Sequence, residues 1–103
     1  MSDLFKSQEF RFIENHLDII NALADKTRQE ILLIFYSQKE ANANDIAARF
    51  ELSRPTISHH LNLMRRLNIL NARKEGKQIY YSFNKPLVTG VLETLLSFFK
   101  NCC

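Results

Sequence analysis

Between residues 44 and 83 the spacing of apolar residues changes character, and few folds accommodate that change. Ile46, Ala47 and Phe50 fit one face of a short helix from about Asn44 to Phe50, and Glu51-Leu52-Ser53 forms a brief connection. Ile57, Leu61 and Met64 then lie on one row of a second helix running from Arg54 to about Asn68, with Leu63, Leu67 and Leu70 extending its apolar surface. Ser53 is suited to cap this helix, and Pro55 fits its first turn, where no backbone N–H is needed. From Ile69 the period falls to two. Ile69–Lys74, a turn at Glu75-Gly76 and Lys77–Phe83 read as a hairpin in which Ile79, Tyr81 and Phe83 alternate with Gln78, Tyr80 and Ser82.

The flanking segments are helical. Phe10, Ile13, Leu17 and Ile20 form one row, and Phe12, Ile19 and Leu23 a second. Asp25 caps a following helix whose core row is read as Ile31, Leu32, Phe35 and Tyr36, and the polar stretch Ser37–Asn42 ends it. Asn84-Lys85-Pro86 opens a last helix. The order α-α-α-α-β-β-α makes a mainly α fold with a β-hairpin wing, a winged helix-turn-helix. It is read as one domain over residues 1–103, with the helix-turn-helix at about 44–68, the wing at about 69–83 and outer helices at about 8–23 and 86–101. Two Gly and two Pro in 103 residues are too few for an all-β fold with a tight turn at every hairpin, and 46% apolar content argues against disorder. No run of 18 apolar residues is present, and Asp3 and Lys6 interrupt the N-terminus, so neither a membrane span nor a secretory signal is expected. With Cys102 and Cys103 as the only cysteines, no disulfide framework can form and a cytoplasmic location is the expectation.

Charge is unevenly placed. The chain carries a net +3, yet residues 54–77 hold Arg54, Arg65, Arg66, Arg73, Lys74 and Lys77 against Glu75 alone, while the remainder is net acidic. Such a block is either a polyanion-binding face or a solvated cluster. Three histidines, no glycine-rich phosphate loop and no carboxylate cluster leave no catalytic constellation, so an enzyme is not expected.

Three runs resemble one family. Leu23-Ala24-Asp25-Lys26-Thr27-Arg28-Gln29-Glu30-Ile31-Leu32 is similar to the L-A-D-x-T-R-x-x-I-L signature of ArsR/SmtB-type repressors. Ser53-Arg54-Pro55-Thr56-Ile57-Ser58-His59-His60-Leu61 is similar to their S-x-x-x-[VI]-S-x-H-L recognition helix. Arg73-Lys74-Glu75-Gly76-Lys77-Gln78-Ile79-Tyr80-Tyr81 is similar to their R-x-x-G-[KR]-x-x-Y-Y wing. The resemblance implies a homodimeric bacterial repressor that binds double-stranded DNA under control of a metal, metalloid or other small effector. Many relatives carry glycine between the two helices where this chain has Glu51; a left-handed Glu51 would be strained by roughly 1–2 kcal/mol.

A recognition helix reads base edges from its N-terminal residues, here Arg54, Thr56, Ser58 and His59, with Asn62 one turn on. Arg54 suits the O6/N7 pair of guanine, and the two hydroxyls suit phosphate or base contact. His60 faces about 100° away from His59, so the pair is poorly placed to chelate one metal, and His60 is read as packing with one hydrogen bond. Arg73, Lys74 and Lys77 around Gly76 are the wing's candidates for phosphate or minor-groove contact. A protein-interaction module built on the same fold is the alternative, and it would be expected to present an acidic or apolar recognition helix.

The last helix is apolar around most of its circumference. Leu87, Val91, Leu95 and Phe98 form one row, and Val88, Leu92, Leu96 and Phe99 an adjacent one. A twofold homodimer is expected through the terminal helices, its interface drawn from Phe10, Ile13, Leu17, Val88, Leu92, Leu95 and Phe99, with recognition helices about 34–36 Å apart on a near-palindrome. A monomer burying that helix is the alternative.

Effector sites of the family are altered. Metal-sensing members carry E-L-C-x-C-D-L where this chain has Glu40-Ala41-Asn42-Ala43-Asn44-Asp45-Ile46, so both thiols are replaced by amides. From Pro86 onward there is neither Asp nor His, so the last-helix zinc-type site is lacking as well. No cofactor is required. Cys102 and Cys103 leave three readings open: a thiophilic metalloid site completed by a third sulfur from a partner, a redox pair, or inert terminal residues.

Overall fold

A computed structural model describes residues 8–102 of the chain, with side chains described from Glu14 onward. Its elements are α1 (Gln8–Leu23), α2 (Lys26–Ile34), β1 (Ala41–Asn42), α3 (Ala43–Ala48), α4 (Arg54–Arg66), β2 (Leu70–Glu75), β3 (Gln78–Phe83) and α5 (Lys85–Asn101). Side-chain caps set the starts of α2, α4 and α5. The Asp25 carboxylate accepts from the Arg28 N–H at 3.0 Å, Ser53 Oγ from the Thr56 N–H at 3.3 Å, and Asn84 Oδ1 from the Leu87 N–H at 3.4 Å.

The core gathers one row from each helix. Ile57, Leu61 and Met64 on α4 meet Ile31 and Ile34 of α2, Ile46 of α3, Ile69 and Leu70, and Val88, Val91 and Leu95 of α5. Tyr36, expected in the α2 core row, is 93% exposed, because α2 ends at Ile34 and the helical period no longer governs position 36; Ile34 takes the inward place. Val88 and Leu95, expected at a partner-facing surface, are 7% and 9% exposed and belong to the domain's own core. Leu92, Leu96 and Phe99 form an exposed row on α5, and Phe98 of α5 and Leu17 of α1 are exposed as well. Phe10 and Ile13 lie outside the described side chains.

The polar stretch before α3 contains a third strand. Ala41 pairs with Tyr81 and Asn42 with Tyr80, so the sheet has the order β1-β3-β2, antiparallel throughout. The hairpin turn falls one residue later than its expected place: Glu75 pairs with Gln78, leaving Gly76-Lys77 as a two-residue loop with Gly76 at φ +60°.

Glu51 is not left-handed. Among the described non-glycine residues only Asn68 has positive φ, at 64°. Asn68 closes α4 with two bonds that satisfy its last carbonyls, Ile69 N–H to Met64 O at 2.9 Å and Asn68 N–H to Arg65 O at 3.0 Å. The buried Ile69 and Met64 share the core behind this turn. Asn84 ties the next junction to it, donating Nδ2 to Asn68 O and its backbone N–H to Ile69 O, both at 2.9 Å. Asn tolerates this backbone where a β-branched residue does not. Asn68→Val is therefore expected to lower stability by about 1–2 kcal/mol, and Asn68→Gly to be tolerated, as measured by urea unfolding.

Candidate nucleic-acid interface

The signature around Asp25 forms a joint rather than a ligand site. Arg28 Nε donates to Ala22 O at 2.7 Å, and its Nη1 lies 3.3 Å from His60 Nδ1. Since arginine only donates, His60 accepts, which requires a neutral imidazole at this nitrogen. Burial pushes the His60 pKa below its usual value against the opposing pull of Asp25. The α1–α2 corner thus grips α4 from its inner side. This matches the expected role of His60 as a packing residue with one hydrogen bond.

Gripped in this way, α4 turns a polar face outward. Arg54, Thr56, Ser58, His59 and Asn62 are all exposed. At 100° per residue, His59, Asn62 and Arg66 lie opposite the buried row, with Ser58 and Arg65 on one flank and Thr56 on the other. Arg65 and Arg66 therefore join the candidate surface. Their helical spacing from Asn62 carries that signal, which a count of charge alone does not. They also sit in the last turn of α4, where cations complement the helix dipole. The Thr56 hydroxyl is partly engaged, 2.8 Å from Ser53 Oγ.

The wing divides its cations. Lys74 and Lys77 are exposed, and among the described residues neither has a carboxylate within ion-pair distance. Arg73 is committed within the fold. Its Nε and Nη2 donate to the two oxygens of Glu40 at 3.0 and 2.8 Å, and its Nη1 donates to Glu75 at 2.6 Å. The guanidinium also lies 4.7 Å from the centroid of the Tyr80 ring. Its bond from Arg73 holds the Glu40 carboxyl below the usual range, and the two carboxylates raise the Arg73 pKa. The amides that replace the family's cysteines are structural: Asn42 Oδ1 caps α3 by accepting from the Asn44 N–H at 2.7 Å, and both amide groups donate to Gln78 Oε1, at 2.6 and 3.4 Å.

Among the described residues no three His, Cys, Asp or Glu side chains cluster as a metal site would require, and no helix is long and apolar enough to cross a membrane. Cys102 is exposed at the C-terminal cap of α5, and Cys103 lies outside the described residues.

Comparison with known proteins agrees with this geometry. A family model for bacterial regulatory proteins of the arsR family matches residues 25–72, which run from the α2 cap into β2. The transcriptional repressor SdpR of Bacillus subtilis (strain 168) is 33% identical, over 79% of this chain and 89% of the relative. A cadmium resistance transcriptional regulatory protein CadC homolog of Staphylococcus aureus is 37% identical, over 78% of this chain and 69% of its own length. The crystal structure of the transcriptional repressor PagR of Bacillus anthracis superposes with a TM-score of 0.67 at 30% identity, covering 84% of this chain and 98% of that one. With its capped recognition helix, its basic wing and these relatives, the chain belongs to the ArsR family of bacterial transcriptional regulators.

Proposed function

We propose that the chain is a cytoplasmic repressor that binds a near-palindromic DNA operator as a homodimer and lets it go when an effector acts. The observation that carries this reading is the pairing of surfaces. An outward α4 face of His59, Asn62 and Arg66, flanked by Arg54, Ser58 and Arg65, stands with a wing whose Lys74 and Lys77 have no acidic partner among the described residues. Arg54 would read guanine through a bidentate fork, with Ser58, His59 and Asn62 along the groove. Thr56, engaged with Ser53, is better placed to donate to a phosphate near the helix start than to reach a base. Relatives named as repressors support the direction of regulation. The exposed row Leu92, Leu96 and Phe99 on α5 would join two copies. The effector would act on the Cys102–Cys103 thiols, as a thiophilic metalloid or as an oxidant, through the exposed end of α5.

Selection of duplexes from a random pool tests the reading directly, followed by release assays with arsenite and peroxide on the parent and on a Cys102→Ser, Cys103→Ser variant. Enrichment of a near-palindrome is the expected result, and failure to enrich one at low salt would sink the proposal. On the selected operator, Lys77→Ala is expected to weaken binding evenly across sequence variants and to flatten the salt slope by about 0.9 for its lost phosphate. Arg54→Ala is expected to relax preference at one base pair. A titration series at several salt concentrations separates the two effects.

A further inference from the structure

Two side-chain bridges join the wing to the segment leading into α3. In the first, the Arg73 fork spans both oxygens of Glu40 while a third nitrogen takes Glu75 and the plane rests over Tyr80. In the second, Gln78 collects the amides of Asn42 and Asn44. Asn42 thus ends β1, caps α3 and holds β3 at once. The main chain alone attaches the hairpin weakly, because β1 pairs with β3 over only two residues. Both bridges extend that attachment toward the tip: Arg73 stands opposite Tyr80, and Gln78 adjoins the turn.

We propose that Glu40, Arg73, Asn42, Asn44 and Gln78 form a positioning device that fixes the wing's angle against α3 and α4, so that Arg73 serves DNA binding through Lys74 and Lys77 rather than by touching phosphate. Charge supports this assignment. Arg73 with Glu40 and Glu75 is a net-negative group, a poor ligand for a polyanion. Geometry supports it too. A planar guanidinium bonded bidentately to a carboxylate defines an orientation that a lone ammonium does not. Alternation along β2 puts Arg73 and Glu75 on one face and Lys74 on the other, so the bridge leaves Lys74 unencumbered. The proposal rests on the DNA-binding reading above.

The test is Glu40→Gln on the selected operator across a salt series. Deleting an acid from a protein that binds DNA ordinarily tightens the complex, and here it would also release Arg73 toward phosphate. A positioning role demands the opposite sign. Binding should weaken about two- to fivefold, in keeping with an exposed bridge, and the salt slope should shrink by up to about 1.8 as Lys74 and Lys77 leave their phosphates. Gln78→Ala, which changes no charge, should move both readouts the same way, with thermal unfolding confirming that both variants are folded. Equal or tighter binding by Glu40→Gln, or weaker binding at an unchanged slope in both variants, overturns the positioning role while leaving the DNA-binding reading intact. Absence of salt-dependent duplex binding by the parent protein overturns both.

Discussion

With two copies joined through α5 as proposed, replacing Leu96 by glutamate is expected to leave a folded 12.1 kDa monomer and to lower operator affinity by about 10²–10⁴-fold. Leu96 is 55% exposed on its own subunit, on the same α5 face as Leu92 and Phe99, so the change costs the isolated fold little. In a twofold interface the substitution acts twice, burying two carboxylates among apolar side chains with no partner for either. Each half-site contact then has to be made by an independent molecule, and the advantage of a tethered second contact disappears. Sedimentation alongside circular dichroism checks the first half of the prediction, and operator titration the second. A variant that stays dimeric, or a monomeric variant that binds as the parent does, would refute the α5-mediated dimer.

The second large effect is expected inside the domain. Ile57 is fully buried in the α4 row between the other helices, so Ile57→Ala should remove about 2–5 kcal/mol of stability through lost burial and the cavity left behind. Against a total of about 5–15 kcal/mol for a domain of ordinary stability, that is enough to leave a substantial unfolded fraction at growth temperature. The neighbouring Ser58→Ala, one residue along but exposed, should change stability by no more than about 0.5 kcal/mol. Urea midpoints compared at constant m distinguish the two. The contrast shows how one helix serves both ends: its inward residues are constrained by the core, while its outward residues are free to suit a DNA sequence.

Features with local causes were legible in the sequence. Asp25, Ser53 and Asn84 announce helix starts because a cap is made within three residues, and the α4 row announces itself because a long amphipathic helix has a definite period. Features that depend on distant partners were not. The strand Ala41–Asn42 is two residues long in a polar stretch and exists only because Tyr80 and Tyr81 come alongside it. Arg73 reads as a free cation until Glu40, 33 positions earlier, is folded against it. The division of α5 into a core row and an exposed row was illegible for another reason. When nearly every position is apolar, periodicity no longer records rotational phase, and that phase is set by how α5 docks on α1 and by the Asn84 tie at its start. The exposed face of α4, proposed above to meet DNA, was largely legible as a surface, since an exposed pole is the complement of a buried row; its C-terminal extension through Arg65 and Arg66 follows from the same geometry.

The Asn84 bonds to Asn68 and Ile69 have a consequence for how such a chain can change over evolutionary time. They bring the point where the chain leaves α4 back to the point where it enters α5, so the whole excursion from residue 70 to residue 83 starts and finishes at one place. Residues added or removed in pairs at Gly76-Lys77 would lengthen or shorten that excursion without altering the distance between α4, which is proposed to read DNA, and α5, which would carry the second subunit. On that reading, reach across the backbone of the duplex can drift independently of operator spacing, so one scaffold can explore new binding sites while a twofold pairing through α5 stays unchanged.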